Sequence, residues 1–229
     1  MNTEHQLTLN FDHRVALTGE DFLVSECNRE AIEWIDAWPA WPAPALVIVG
    51  PAGSGKSHIS AVFAVKTGAR LVAADGLEFA AAQVDSDVII EDVETILDSQ
   101  HEEPLLHLYN AVQEAGFRLL MTAQEAPTRW GVQLPDLRSR LNAAMTVEIG
   151  PPEDTLISAL LVKLFMDRQL NVTSDVIAYT VSRMERSFLA ARQIVSAADE
   201  LALAEKKGVT IPLMKRVLED QRCGAGEKA

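Results

Sequence analysis

The residues best suited to chemistry stand together at Gly50-Pro51-Ala52-Gly53-Ser54-Gly55-Lys56-Ser57-His58. The spacing is G-x-x-x-x-G-K-S, and these residue types suit phosphate oxygens. Glycines let backbone N–H groups turn inward, and the first turn of a following helix adds partial positive charge. Lys56 is the side chain expected to reach β- and γ-phosphates, and the Ser57 hydroxyl is the one expected to ligate Mg²⁺. Further on, Asp87-Val88-Ile89-Ile90-Glu91-Asp92 ends an apolar run in two carboxylates. A carboxylate there, Glu91, is expected to hold the metal directly or through water, and Asp92 to orient an attacking water. The plainer alternative for the pair is a solvated acidic turn. Thr122 and Gln124 close another apolar run and are expected near a terminal phosphate.

Such a site needs strands that end beside one another and a helix that starts at the loop. Leu46 to Val49 reads as a buried parallel strand, and Ile59, Val62 and Phe63 as the apolar face of the helix after the loop. Arg70 to Ala74, Asp87 to Asp92, Phe117 to Thr122 and Met145 to Ile149 read as four more strands. Helices are expected over Asn28–Trp38, Leu77–Ala82, Pro104–Ala115 and Pro135–Leu141, the last carrying Arg138 and Arg140. Strand–helix alternation implies an α/β domain with a five-stranded parallel sheet and right-handed crossovers. Trp38 and Trp41 are expected to wedge between the first helix and the sheet.

Gly150-Pro151-Pro152 marks a boundary, and the chain beyond it reads as a small all-helical domain. Its helices are expected over Glu153–Gln169, Ser174–Arg183 with Ser174 as N-cap, Ser187–Lys206 stopped by Gly208, and from Ile211 to about Asp220. The domains are therefore expected at 1–12, a flexible leading peptide; 13–150, the α/β base; 151–220, the helical domain; and 221–229, a disordered tail. In the leading peptide, Leu7, Leu9 and Phe11 alternate after Gln6. Two readings stay open: an edge strand on its own domain, or a linear peptide that docks in another protein's groove.

The chain has 229 residues with a formal net charge of −13, which argues against a broad DNA-binding face. Its 48% hydrophobic and 23% charged residues fit an ordinary globular protein. Cys27 and Cys223 follow no metal-ligand spacing and read as free thiols in a reducing compartment. No apolar run approaches a membrane span and no signal pattern leads the chain, so the cytoplasm is the expected location.

The order of these boxes resembles the AAA+ ATPases, and within them the DnaA family of bacterial replication initiators. Asp21-Phe22-Leu23-Val24 with Asn28-Arg29-Glu30-Ala31 is similar to that family's approach to the adenine pocket. Leu134-Pro135-Asp136-Leu137-Arg138-Ser139-Arg140-Leu141 looks like its arginine-finger box, and Met184-Glu185-Arg186-Ser187-Phe188 like its sensor 2 region. The sequence ends at the helical lid, where DnaA continues into a basic helix-turn-helix. Gln6-Leu7-Thr8-Leu9-Asn10-Phe11 looks like the peptide that docks on the β sliding clamp. That combination resembles the Hda family, regulatory inactivators of DnaA. The resemblance implies ADP or ATP with Mg²⁺, held by the phosphate loop, Phe22, Leu23, Val24 and Arg186. It implies DnaA and the clamp as partners, and a finger, Arg140 with Arg138 competing, that acts on ATP bound to DnaA. Self-association into a homodimer stays open. Glu91 stands where the family has aspartate, and Asp92 where asparagine is usual in Hda, so self-hydrolysis is expected to be weak. Three rivals remain: an active ATPase or loader of the same fold, an adaptor that sequesters replication proteins without triggering hydrolysis, and a small-molecule P-loop kinase.

Overall fold

The computed structural model describes residues 13–14, 22–97 and 100–225. The docking peptide expected at Gln6, Leu7, Leu9 and Phe11 lies outside the described residues. The chain divides into two compact units between Gly150 and Pro151.

In the first unit, β1 (His13–Arg14) and β2 (Phe22–Leu23) pair in a two-stranded sheet, and α1 (Arg29–Ala37) follows. The main sheet takes β3 (Ala45–Val49), β4 (Arg70–Leu71), β5 (Val88–Ile90), β6 (Leu119–Ala123) and β7 (Met145–Glu148) in the order β4-β5-β6-β3-β7. All four pairings are parallel, and β3 sits between β6 and β7, with Val47 opposite Met121 on one side and Thr146 on the other. The helices between strands are α2 (Lys56–Thr67), α3 (Leu77–Ala82), α4 (Glu102–Glu114) and α5 (Pro135–Ala143).

Alternate strand residues point to opposite faces, so each buried strand must be apolar throughout. Val47, Val49, Ile90, Leu119 and Met121 pack on one face with Leu105 and Leu108 of α4 and Leu137 of α5. Leu46, Ile48, Ile89 and Leu120 pack on the other with Ile32 and Ile35 of α1 and Phe63 of α2. Trp41 takes the expected place: it stacks on Phe63 at 5.4 Å between centroids, and its Nε1 donates to the Trp34 carbonyl at 2.6 Å.

The second expected strand, Arg70 to Ala74, is shorter than its composition suggests. Val72 still donates to Ile89 O at 2.9 Å, but β5 ends at Ile90, and Ala74–Gly76 turns into a 3₁₀ helix. An edge strand cannot outlast its only neighbour.

The second unit holds α6 (Asp154–Asp167), α7 (Ser174–Val181), α8 (Phe188–Glu205) and α9 (Ile211–Ala225). Its interior is apolar, centred on Phe165, Leu161, Ile177, Ile194, Val195 and Met214. Several boundaries differ from expectation: α6 ends at Asp167 rather than Gln169, and α7 at Val181 rather than Arg183. Thr173, not Ser174, is the N-cap of α7, and its side chain makes no capping bond. Lys206, not Gly208, ends α8 in the left-handed region at φ 52°, because the last buried residue, Ala202, already lies a turn behind. And α9 runs through Ala225, so residues 221–225, expected in the tail, are helical. Among the described residues, no helix is long and apolar enough to cross a membrane.

Candidate functional site

The phosphate loop leaves the sheet where β3 is flanked on both sides. Gly50 N–H donates to Ala123 O at 3.1 Å, and Ile149 N–H to Val49 O at 2.7 Å. A side chain at Gly50 has no room: a Cβ would lie 2.8 Å from Ile149 O and 2.9 Å from Ser54 Oγ. Gly53 and Gly55 turn the loop at φ 72° and 98°, a region that other residues enter at a cost. Pro51, Ala52 and Ser57 are exposed, whereas His58 is half-buried. The α2 helix starts at Lys56 with no side-chain cap, so its first N–H groups face the loop. Ser54 Oγ is buried without a hydrogen-bond partner. Lys56 is only 7% exposed; its Nζ donates to Gly50 O at 2.7 Å and Pro51 O at 3.0 Å. A glycine cradle, an uncapped helix start and a buried ammonium make a set of donors matched to phosphate oxygens.

The acidic strand end meets this loop through its field. Burial lowers the Lys56 pKa, and Asp92, Glu94 and Glu91, in that order, oppose the shift. Glu91 is half-buried, and Asp92 is exposed on a left-handed turn at φ 46°. The Asp92 N–H donates to Thr122 Oγ1 at 3.0 Å, so the buried Thr122 hydroxyl fastens the end of β5 to β6. A second fastening was not visible in the sequence. Glu94 accepts the Gln124 N–H at 2.5 Å through one oxygen, while its other oxygen is buried without a partner. Glu94 reads as one more solvated acid in Glu91-Asp92-Val93-Glu94, and only the β5–β6 pairing brings Gln124 beside it. Among the described residues, no three His, Cys, Asp or Glu side chains converge on a metal-sized site. Mg²⁺ needs no such cluster, since it keeps its waters and takes one or two protein oxygens beside phosphates.

The segment before α1 joins the same corner. Val24 packs on the α1–α2 face, Ser25 N–H donates to the buried Asn28 Oδ1 at 2.9 Å, and Gly150 N–H donates to Cys27 O at 3.1 Å. Gly150 follows Ile149, the residue behind Gly50, so Cys27 and the phosphate loop both lie beside the β7 end. Phe22 and Leu23 form β2.

On α5, Leu137 and Leu141 point inward and Arg138 is exposed. Arg140 is half-buried against α4, its guanidinium 5.7 Å from the Tyr109 ring centroid and its Nη1 donating to Gln113 Oε1 at 3.2 Å. Burial raises the Tyr109 pKa and the Arg140 charge opposes it. Glu102, at the start of α4, is 7% exposed and accepts N–H bonds from Gln133 at 2.9 Å and Leu134 at 2.7 Å, immediately before α5. In sequence it looks like part of a solvated Glu102-Glu103 face; its partners lie in a loop far down the chain.

Within the helical unit, Arg186 forms a two-bond pair with Asp154, at 2.5 Å from Nε and 3.0 Å from Nη2. The hydrogen bond from Arg186 holds the Asp154 carboxyl below its ordinary range. Ser187 caps α8 by accepting the Ala190 N–H at 3.0 Å.

Solved structures share this fold. Domain III of the replication initiation protein DnaA from Thermotoga maritima is 15% identical, over 87% of this chain and 94% of that one, with a TM-score of 0.74. The AMPPCP-bound DnaA from Aquifex aeolicus is 16% identical, over 88% of this chain and 68% of that one, with a TM-score of 0.66. The RuvB Holliday junction branch migration motor of Thermotoga maritima is 14% identical, over 84% and 67%, with a TM-score of 0.65. At such identities the likeness is one of fold, and the fold is that of an AAA+ P-loop domain followed by a helical lid. Residues 154–218 match the family described as Hda, lid domain. That match covers the helical unit, and the structural likeness gives the base the fold of the DnaA domain.

Proposed function

We propose that this protein is a nucleotide-bound regulator that docks on the β sliding clamp and stimulates hydrolysis of ATP bound to DnaA, so restraining replication initiation. The observation that carries the reading is the match of the lid to the Hda family over residues 154–218. An adenine nucleotide, ADP or ATP, is held by the loop from Gly50 to His58, with Phe22, Leu23 and Val24 on the base and Arg186 from the lid on the phosphates. Ser57 and Glu91 are the groups that would hold Mg²⁺, which neutralises phosphate charge when bound. The bound nucleotide acts as a structural switch. Intrinsic turnover is slow, because Glu91 is one methylene longer than the family's aspartate and Asp92 is too short to polarise water well. Gln6, Leu7, Leu9 and Phe11 tether the protein to the clamp. Arg140 then compensates charge developing on the γ-phosphoryl group of DnaA-bound ATP, a contribution of roughly 10³–10⁵ in rate for such fingers.

The test is ATP hydrolysis by DnaA on clamp-loaded DNA, with and without this protein. Wild type is expected to stimulate, Phe11→Ala to lose stimulation when the clamp is required, and Arg140→Ala to lose it altogether. A silent Arg140→Ala rejects the finger. A second reading, an adaptor that binds DnaA without triggering hydrolysis, is favoured by the contact of Arg140 with Gln113 and Tyr109 of its own chain. It predicts DnaA binding with no change in hydrolysis.

A further inference from the structure

We infer that Tyr109 and Gln113 are positioning residues for Arg140: α4 presents the guanidinium in a set direction before any partner arrives. The inference rests on the reading of Arg140 as the finger.

Glu102, Tyr109 and Gln113 recur at whole-turn intervals and so share one face of α4. This face runs along α5. At its start, the Glu102 carboxylate takes the N–H groups of Gln133 and Leu134, the residues leading into α5. A buried carboxylate between two helix N-termini is favoured by both helix dipoles, and it fixes where α5 begins. Further along, Tyr109 and Gln113 receive Arg140. Arg138, two residues earlier, is exposed, and two positions apart on a helix do not share a face. An arginine already resting on a ring and an amide has fewer rotamers left to lose on engagement. Both contacts are weak enough to slide or release: a ring 5.7 Å away and one hydrogen bond at 3.2 Å to the exposed Gln113.

The experiment has two readouts. In DnaA-dependent hydrolysis on clamp-loaded DNA, Tyr109→Leu with Gln113→Ala is expected to lower the maximal rate about tenfold. The half-saturating concentration should stay as in wild type. Tyr109→Phe, which keeps the ring, should retain the rate. Because Tyr109 is buried, Gln113→Ala alone serves as a variant with an intact core and should show a smaller fall of the same kind. In an Arg140→Ala background the double substitution should add nothing. A further loss in that background, a change confined to half-saturation, or an unchanged or raised maximal rate overturns the inference. The second readout needs no DnaA. Side-chain proton resonances of Arg140 in the free protein should carry a ring-current shift that Tyr109→Leu removes and Tyr109→Phe keeps. Absence of that shift in wild type overturns the positioning role. A silent Arg140→Ala with the shift present instead rejects the finger itself.

Discussion

The base buries polar groups whose bonds reach far along the chain, and among the described residues the lid buries none of that kind. In the base, Lys56, Asp87, Glu102 and Thr122 are buried, and Asp87, Glu102 and Thr122 each bond to backbone about thirty residues away in sequence. In the lid, the buried polar residues among those described are Thr180 and Ser187, and each bonds within its own helix or cap. Long-range polar bonds specify which strand ends meet and leave groups such as Lys56 in a field of nearby carboxylates. Local ones only finish helices. The base is thus built to hold a particular chemistry, and the lid to hold a shape, with its charged groups, Arg186 included, on the outside.

Four substitutions break or sharpen this contrast, from the largest effect down. Phe165→Ala in the lid core should cost about 3–5 kcal/mol in a urea titration followed by circular dichroism, with base residues contributing little to the change. An unshifted midpoint would mean that the lid is not held by its apolar centre. Lys56→Ala in the base should weaken adenine-nucleotide binding by calorimetry about 100-fold, from loss of charge-assisted bonds to phosphate, with the fold retained. Thr122→Val keeps the side-chain volume and leaves the Asp92 N–H without its acceptor. It should cost about 1–3 kcal/mol, far more than a comparable change at the exposed Ser182 of the lid. Asp154→Asn should have the smallest effect, present at neutral pH and vanishing in acid. The folded-state pKa of Asp154 lies below its ordinary 3.8, so the stability it adds is present above that value and is lost as pH falls through the lower one. The variant should therefore lose a small amount of stability at neutral pH and match wild type below the lower pKa, so the acid limb of its unfolding-versus-pH curve is shallower.

The same contrast explains what could be read from the sequence. The strand, loop and helix around Gly50 to Ser57 were legible because apolar runs flank a glycine-rich turn. The five strands were legible because a sheet covered on both faces requires apolar runs, and Val47 to Val49 or Leu119 to Met121 admit little else. Helical spacing was enough for the lid, whose buried polar bonds are local. Glu94 and Glu102 escaped because an acid on a turn or in a first helical turn looks solvated until its distant partner is placed. The misassigned stop at Gly208 has a different cause: glycine is the usual left-handed residue, but Lys206 adopts that region where the apolar stripe of α8 runs out.

Strand β3 sits between two neighbours that both come later in the chain, and this has a consequence for synthesis on the ribosome. The nascent polypeptide carries its nucleotide signature long before Val47 can pair with Met121 and Thr146. Pairings so distant form slowly, since the intervening loop must first be closed. Stalled chains ending before Leu119 should therefore be protease-sensitive with or without added nucleotide, and protection should appear only once β6 and β7 have emerged.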